Sequence, residues 1–124
     1  MSDAIELRFV LEGRPVSWAR KNVLAGGRVV TSREQRAAKE RARCAALAAR
    51  PRGWDRDGEY AVSVAAYYPD RRMGDADRIP GILLDAMEGV AYETDRQVGD
   101  LRVRRFVDRE RPRVEVCVSV MEAE

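Results

Sequence analysis

Tyr60 to Tyr68 alternates so regularly that it commits the chain to a sheet: Tyr60, Val62, Val64, Ala66 and Tyr68 share one face at a period of two. Arg113 to Val120 repeats the pattern through Val114, Val116, Val118 and Val120. Ile5 to Leu11 does the same, with Ile5, Leu7, Phe9 and Leu11 set against Glu6 and Arg8, as in a half-buried strand. Gln97 to Val107 reads as a further strand, joined to Arg113–Val120 across Asp108-Arg109-Glu110-Arg111-Pro112. Gly13-Arg14-Pro15 breaks the first strand, and the basic, irregular segment 16–24 carries Trp18, Arg20 and Lys21. Gly26-Gly27 reads as a turn into a short strand, Arg28 to Val30.

Two segments change period. Thr31-x-x-Glu34 and Ser32-x-x-Gln35 both fit a capping box, opening a helix that runs to about Ala49 and stops before Pro51 and Gly53. Its inner side is mostly alanine, which permits close packing on a sheet. A second helix covers Arg78 to Glu88, where Ile79, Ile82, Leu83, Ala86 and Met87 form a buried stripe. Pro80 falls in its first turn, where amides lack intrahelical partners, and Gly89 fits the C′ position. The order β-β-α-β-α-β-β implies an α+β fold with a mixed β-sheet and two main helices packed on one face. At 124 residues the chain has room for one domain, residues 1–124.

The chain contains no histidine, which removes Ser-His and Cys-His nucleophiles, histidine general bases and the common zinc sites together. Hydrolysis would need water activated by a metal, a carboxylate or a lysine. Lysine occurs only at Lys21 and Lys39, so arginine carries nearly all the positive charge. Its planar fork suits phosphate, although codon bias in a GC-rich genome gives the same composition. Cys44 and Cys117 have no metal-type spacing and read as free thiols in a reducing cytoplasm. No apolar signal region opens the chain and no apolar run approaches membrane-spanning length.

Three aspartates surround the second helix: Asp75 and Asp77 before it, and Asp95 after it on a loop with room to fold back toward the helix start. Hard oxygen donors in this arrangement suit Mg²⁺ or Mn²⁺, and those ions suit phosphodiester chemistry. Bare spacing is also explained without a metal. Asp77 stands where a helix N-cap belongs, Asp75 reads as a solvated loop residue, and Asp95 as a turn residue before a strand. Asp85, off the apolar stripe on the side of Arg78, reads as an ion-pair or supporting residue.

From Asp75 to Val98 the chain resembles the RusA family of Holliday-junction resolvases, endonucleases often carried by phages. Asp75 and Asp77 match that family's Asp-x-Asp; Asp85-Ala86-Met87-Glu88-Gly89 matches its Asp-Ala-Leu-x-Gly; Tyr92-Glu93, Asp95 and Gln97-Val98 follow in register. Gly13-Arg14-Pro15-Val16, Arg20-Lys21 and Gly27-Arg28-Val29-Val30-Thr31 agree more loosely. Three places depart from the pattern: Arg78 stands for an asparagine, Gly81 for a lysine implicated in catalysis, and Thr94 for the first acid of a pair.

The resemblance implies a Mg²⁺-dependent, structure-selective endonuclease that nicks branched DNA symmetrically as a homodimer. Asp75, Asp77 and Asp95 would then hold the metal. Arg78 would offer a fork to the scissile phosphate, or else be a plain surface arginine. Arg20, Lys21, Arg28, Arg71, Arg72, Arg102 and Arg104 are the candidate DNA contacts, since clustered carboxylates alone repel a polyanion. For Arg102 and Arg104 a solvated strand face is the alternative. Two other readings stand beside the nuclease: a junction-binding relative that does not cut because the lysine is gone, and a small interaction module whose aspartates only cap and turn.

Overall fold

The computed structural model describes residues 5–16, 22–23, 29–30, 33–74 and 76–121. In chain order these form β1 (Glu6–Glu12), β2 (Asn22–Val23), β3 (Val29–Val30), α1 (Arg33–Ala49), β4 (Tyr60–Tyr68), α2 (Ile79–Ala86), β5 (Val98–Val107) and β6 (Arg113–Val120). The main sheet has the order β1-β6-β4-β5. β6 runs antiparallel to both β1 and β4, whereas β5 runs parallel to β4. A parallel neighbour requires a crossover, and α2 supplies it. The fold is therefore α+β with a mixed sheet, as the sequence implies.

Period-two patterning places the core. Tyr60, Val62, Val64, Ala66 and Tyr68 of β4 are buried, together with Leu7 and Phe9 of β1 and Val114, Val116 and Val118 of β6. α1 lies over this layer through Gln35, Ala38, Ala42 and Ala46, whose small side chains allow the backbone to come close. α2 and its C-cap Met87 contribute all five stripe residues, Ile79, Ile82, Leu83, Ala86 and Met87, each at most 4% exposed. Burying an aliphatic side chain of this size is worth roughly 1.5–3 kcal/mol, so the stripe accounts for why so short a helix holds its place.

Three details differ from the sequence reading. α2 ends at Ala86 rather than Glu88, because the Glu88 amide bonds three residues back to Asp85 at 3.3 Å and tightens the last turn. Gly89 consequently lies two residues past the C-cap Met87, with a φ of 82° that glycine adopts freely. β2 lies in the segment whose sequence implies irregular chain, yet it pairs with β3 as a separate two-stranded sheet, Asn22 opposite Val30 and Val23 opposite Val29. The capping residues Thr31 and Ser32 lie outside the described residues.

The segment after α2 is part of the core. Val90, Ala91 and Tyr92 are fully buried, and the Tyr92 ring lies 6.1 Å from that of Tyr60, itself stacked on Trp54 at 5.7 Å. Trp54 Nε1 donates to the Ala91 carbonyl at 2.8 Å. Among the described residues no helix is long and apolar enough to cross a membrane.

Candidate active site

The segment leading to the first acids is fastened from both sides. Arg14 donates to the Arg72 carbonyl, approaches Asp70 at 3.6 Å and lies over the Tyr68 ring at 5.5 Å. The Arg72 amide donates to Asp70 Oδ1 at 2.8 Å; that bond first, then Arg14, holds the Asp70 carboxyl below its ordinary range. On the other side Arg105 Nη1 donates to the Gly74 carbonyl at 3.0 Å. Nothing in the spacing of Arg14 or Arg105 marks a loop tie, and Arg14 enters the sequence reading only within the loosely matching Gly13-Arg14-Pro15-Val16.

Asp77 sits in a 3-10 turn, Ala76–Arg78, that runs directly into α2. The N-cap of α2 is Arg78, in helical conformation at φ −97° and ψ −14° with no side-chain cap bond. The capping explanation for Asp77 is therefore overturned: a residue already inside a helical turn cannot supply the extended geometry of a cap. Its carboxylate is exposed and has no hydrogen-bond or ion-pair partner among the described residues. Asp75 lies outside the described residues. Gly81 is in the first turn of α2, where it offers no charge.

Asp95 is placed by a second 3-10 turn, Asp95–Gln97. Thr94, standing for the family acid, caps it by accepting the Arg96 amide at 3.0 Å. Gln97 completes a capping box: its Oε1 accepts the amides of Glu93 and Thr94 at 2.8 and 3.0 Å. Its Nε2 donates to the carbonyls of Arg56 and Gly58 at 2.7 and 2.9 Å. In the sequence Gln97 stands out only as a register mark of the family pattern, yet Thr94-x-x-Gln97 carries the capping-box signature of this role. The Asp95 amide donates to Glu88 Oε1 at 3.3 Å, which sets this turn beside the C-terminal end of α2 rather than folding it back toward the helix start.

Beneath it, the Tyr92 hydroxyl donates to the Leu84 carbonyl at 2.6 Å. Burial above all, then the charges of Asp95, Glu88 and Asp85, pushes the Tyr92 hydroxyl well above its usual pKa. Asp85 forms an ion pair with Lys39 of α1 at 2.6 Å, the ion-pair role expected of it.

Asp77 and Asp95 thus flank opposite ends of α2, whose eight residues span about 12 Å at the usual rise. Among the described residues no three His, Cys, Asp or Glu side chains stand close enough to hold a metal ion together. In donor type the acids fit a hard divalent cation, since Asp77 and Asp95 both present carboxylates with no hydrogen-bond or ion-pair partner among the described residues.

Arg71 and Arg72 are exposed beside the acidic segment. Arg102 and Arg104 are exposed on β5 opposite Ser63 and Ala65, on the sheet face that the helices leave open. Arg20, Lys21 and Arg28 lie outside the described residues.

A family model for Endodeoxyribonuclease RusA matches residues 12–119, from the end of β1 to the penultimate residue of β6. The chain belongs to the RusA family. RusA proteins are endodeoxyribonucleases whose family activity is the resolution of Holliday junctions in recombination, and they bind branched DNA. The mixed four-stranded sheet and two helices agree with a RusA fold. A search of curated proteins finds no match to the chain.

Proposed function

We propose that this RusA-family chain resolves four-way DNA junctions as a Mg²⁺-dependent homodimer that nicks two strands symmetrically. The observation that carries the reading is the family match across residues 12–119. Asp75, Asp77 and Asp95 are the residues that would hold Mg²⁺, with Mn²⁺ suited to the same donors. The cation supplies positive charge that acidifies a water and offsets the charge building on the phosphate and the leaving 3′ oxygen.

The remaining work falls to arginines. Arg78, next to Asp77, offers a guanidinium fork to a phosphate oxygen in place of the lysine that Gly81 cannot supply. Arg71 and Arg72 beside the acids, Arg102 and Arg104 on the open sheet face, and Arg20, Lys21 and Arg28 in the N-terminal segment neutralise DNA phosphates. A four-way junction has two-fold symmetry, so a homodimer supplies two cleavage sites related by the same dyad.

A second reading, junction binding without turnover, is favoured by two features: α2 holds Asp77 and Asp95 apart, and Gly81 lacks the family's cation. A labelled synthetic junction, tested by gel shift and by nicking with and without Mg²⁺, separates the two. Paired nicks that need Mg²⁺ and vanish in Asp77→Asn and Asp95→Asn support the nuclease. Binding without nicks supports the second reading, and wild-type nicking by both variants sinks the metal assignment.

A further inference from the structure

The chain that follows α2 enters the core at once, with Val90, Ala91 and Tyr92 fully buried. Its carbonyls lie outside any helix or named strand, and where buried they need donors from elsewhere. Four consecutive carbonyls find them on side chains from α1 and from residues 50–56 after it. Arg43 Nη1 donates to the Glu88 carbonyl at 3.0 Å and Arg56 Nη1 to that of Gly89 at 2.7 Å. Arg50 Nη1 reaches the Val90 carbonyl at 3.4 Å, and Trp54 Nε1 the Ala91 carbonyl at 2.8 Å.

Arg43, Arg50 and Trp54 hold the segment as far as Ala91. Arg56 goes further. Its Nε lies 3.3 Å from Glu93 Oε1, two residues before Asp95. Its carbonyl accepts from Gln97 Nε2 at 2.7 Å, two residues after Asp95. One residue thus fixes the chain at Gly89, Glu93 and Gln97, on both sides of that aspartate. An exposed ion pair contributes little by itself, but here one rigid guanidinium holds a carboxylate and a carbonyl together, so each contact orients the other.

We propose that Arg56 is a positioning residue for Asp95, setting where that carboxylate stands and so how tightly the site holds its divalent cation. This rests on the reading of Asp95 as a metal ligand and adds a residue from a loop to which none of the acids belongs. Mg²⁺ demands oxygen ligands at about 2.0–2.1 Å in near-octahedral geometry, so a turn that drifts by about an ångström loses the bond. Arg52 supplies the control. It lies on the same loop, is also exposed, and has no hydrogen-bond or ion-pair partner among the described residues.

Two measurements on the full chain test the proposal. The first is amide exchange without DNA or Mg²⁺. The amides of Val90, Ala91, Glu93, Thr94 and Gln97 are all hydrogen-bonded, and in Arg56→Ala they should exchange about tenfold faster, while β4 and β6 stay unchanged. The second is junction nicking across a Mg²⁺ titration. Arg56→Ala should need about tenfold more Mg²⁺ for half-maximal rate, and excess Mg²⁺ should restore the rate to within about twofold of wild type. Its junction affinity without Mg²⁺ should also stay within about twofold. Arg52→Ala should match wild type in exchange and in Mg²⁺ requirement.

Faster exchange in β4 and β6 as well would make Arg56 a support of the whole fold and overturn the positioning role. So would an unchanged Mg²⁺ requirement in Arg56→Ala when Asp95→Asn abolishes nicking. A loss of junction affinity equal to the loss of rate assigns Arg56 to DNA contact instead. Nicking by Asp95→Asn at the wild-type Mg²⁺ requirement, or no nicking by the wild type, overturns the metal reading itself and this proposal with it.

Discussion

Arg105 on β5 donates to the Gly74 carbonyl at 3.0 Å, tying an edge strand to the residue before the first acid of the chain's Asp-x-Asp. Together with Arg14 it holds both sides of the segment from which Asp77 is presented. Arg105→Ala should therefore lower the junction-nicking rate about tenfold, the loss of one charge-assisted hydrogen bond, while junction affinity changes by no more than about twofold. Single-turnover nicking and gel-shift titration on the same junction measure the two separately. Equal losses in rate and affinity would assign Arg105 to DNA contact instead.

Gln97 fastens the turn that presents Asp95 through four hydrogen bonds to backbone groups. Gln97→Ala should cost about 2–6 kcal/mol, at roughly 0.5–1.5 kcal/mol net for each bond. Thr94→Ala removes only the cap and should cost about 1 kcal/mol. Urea unfolding of both variants gives the comparison, and a smaller loss for Gln97→Ala than for Thr94→Ala would contradict the clamp.

Tyr92 supplies a pH test. Burial raises its folded pKa above the ordinary value of 10.0, so the unfolded chain ionises first as the solution becomes alkaline. The stabilisation is complete below pH 10 and is lost as pH rises through the folded value. Tyr92→Phe should lose about 1 kcal/mol at pH 7 with its hydrogen bond to Leu84, and should show a flatter decline between about pH 10 and 11. Thermal melts across that range decide it. Tyr60, raised by burial in the same direction, keeps some decline in the variant.

If Arg71, Arg72, Arg102 and Arg104 each neutralise a phosphate, each alanine substitution should reduce the log-log salt slope of junction binding by about 0.9. Fluorescence anisotropy at several salt concentrations checks them one by one. An unchanged slope for Arg102→Ala would return that residue to the solvated strand face.

Most of the fold could be read from periodicity. β6 has the predicted bounds, β1 and β5 differ by a residue at their ends, and α2 buries the stripe marked for it. Alternation works here because β4 and β6 each have one face against helices and one open to water. β5 is different: it is exposed along nearly its whole length, so its apolar residues mark an edge rather than a core. The candidate site was legible as residue identities but not as geometry. The capping role expected of Asp77 fails because the chain enters α2 through a 3-10 turn, a choice made by packing around Ile79 and Pro80, both buried.

The sequence by itself determined the α+β class, the buried stripe of α2 and, through its register of acids with Gln97-Val98, membership of the RusA family. Those are properties of local period and spacing. Only the tertiary structure decided that Tyr92 enters the core, that Gln97, Arg14 and Arg105 fasten the two acidic segments, and that Asp77 and Asp95 stand at opposite ends of one helix. These depend on contacts between residues tens of positions apart, whose partners are chosen by how helices and strands pack rather than by any short pattern in the chain.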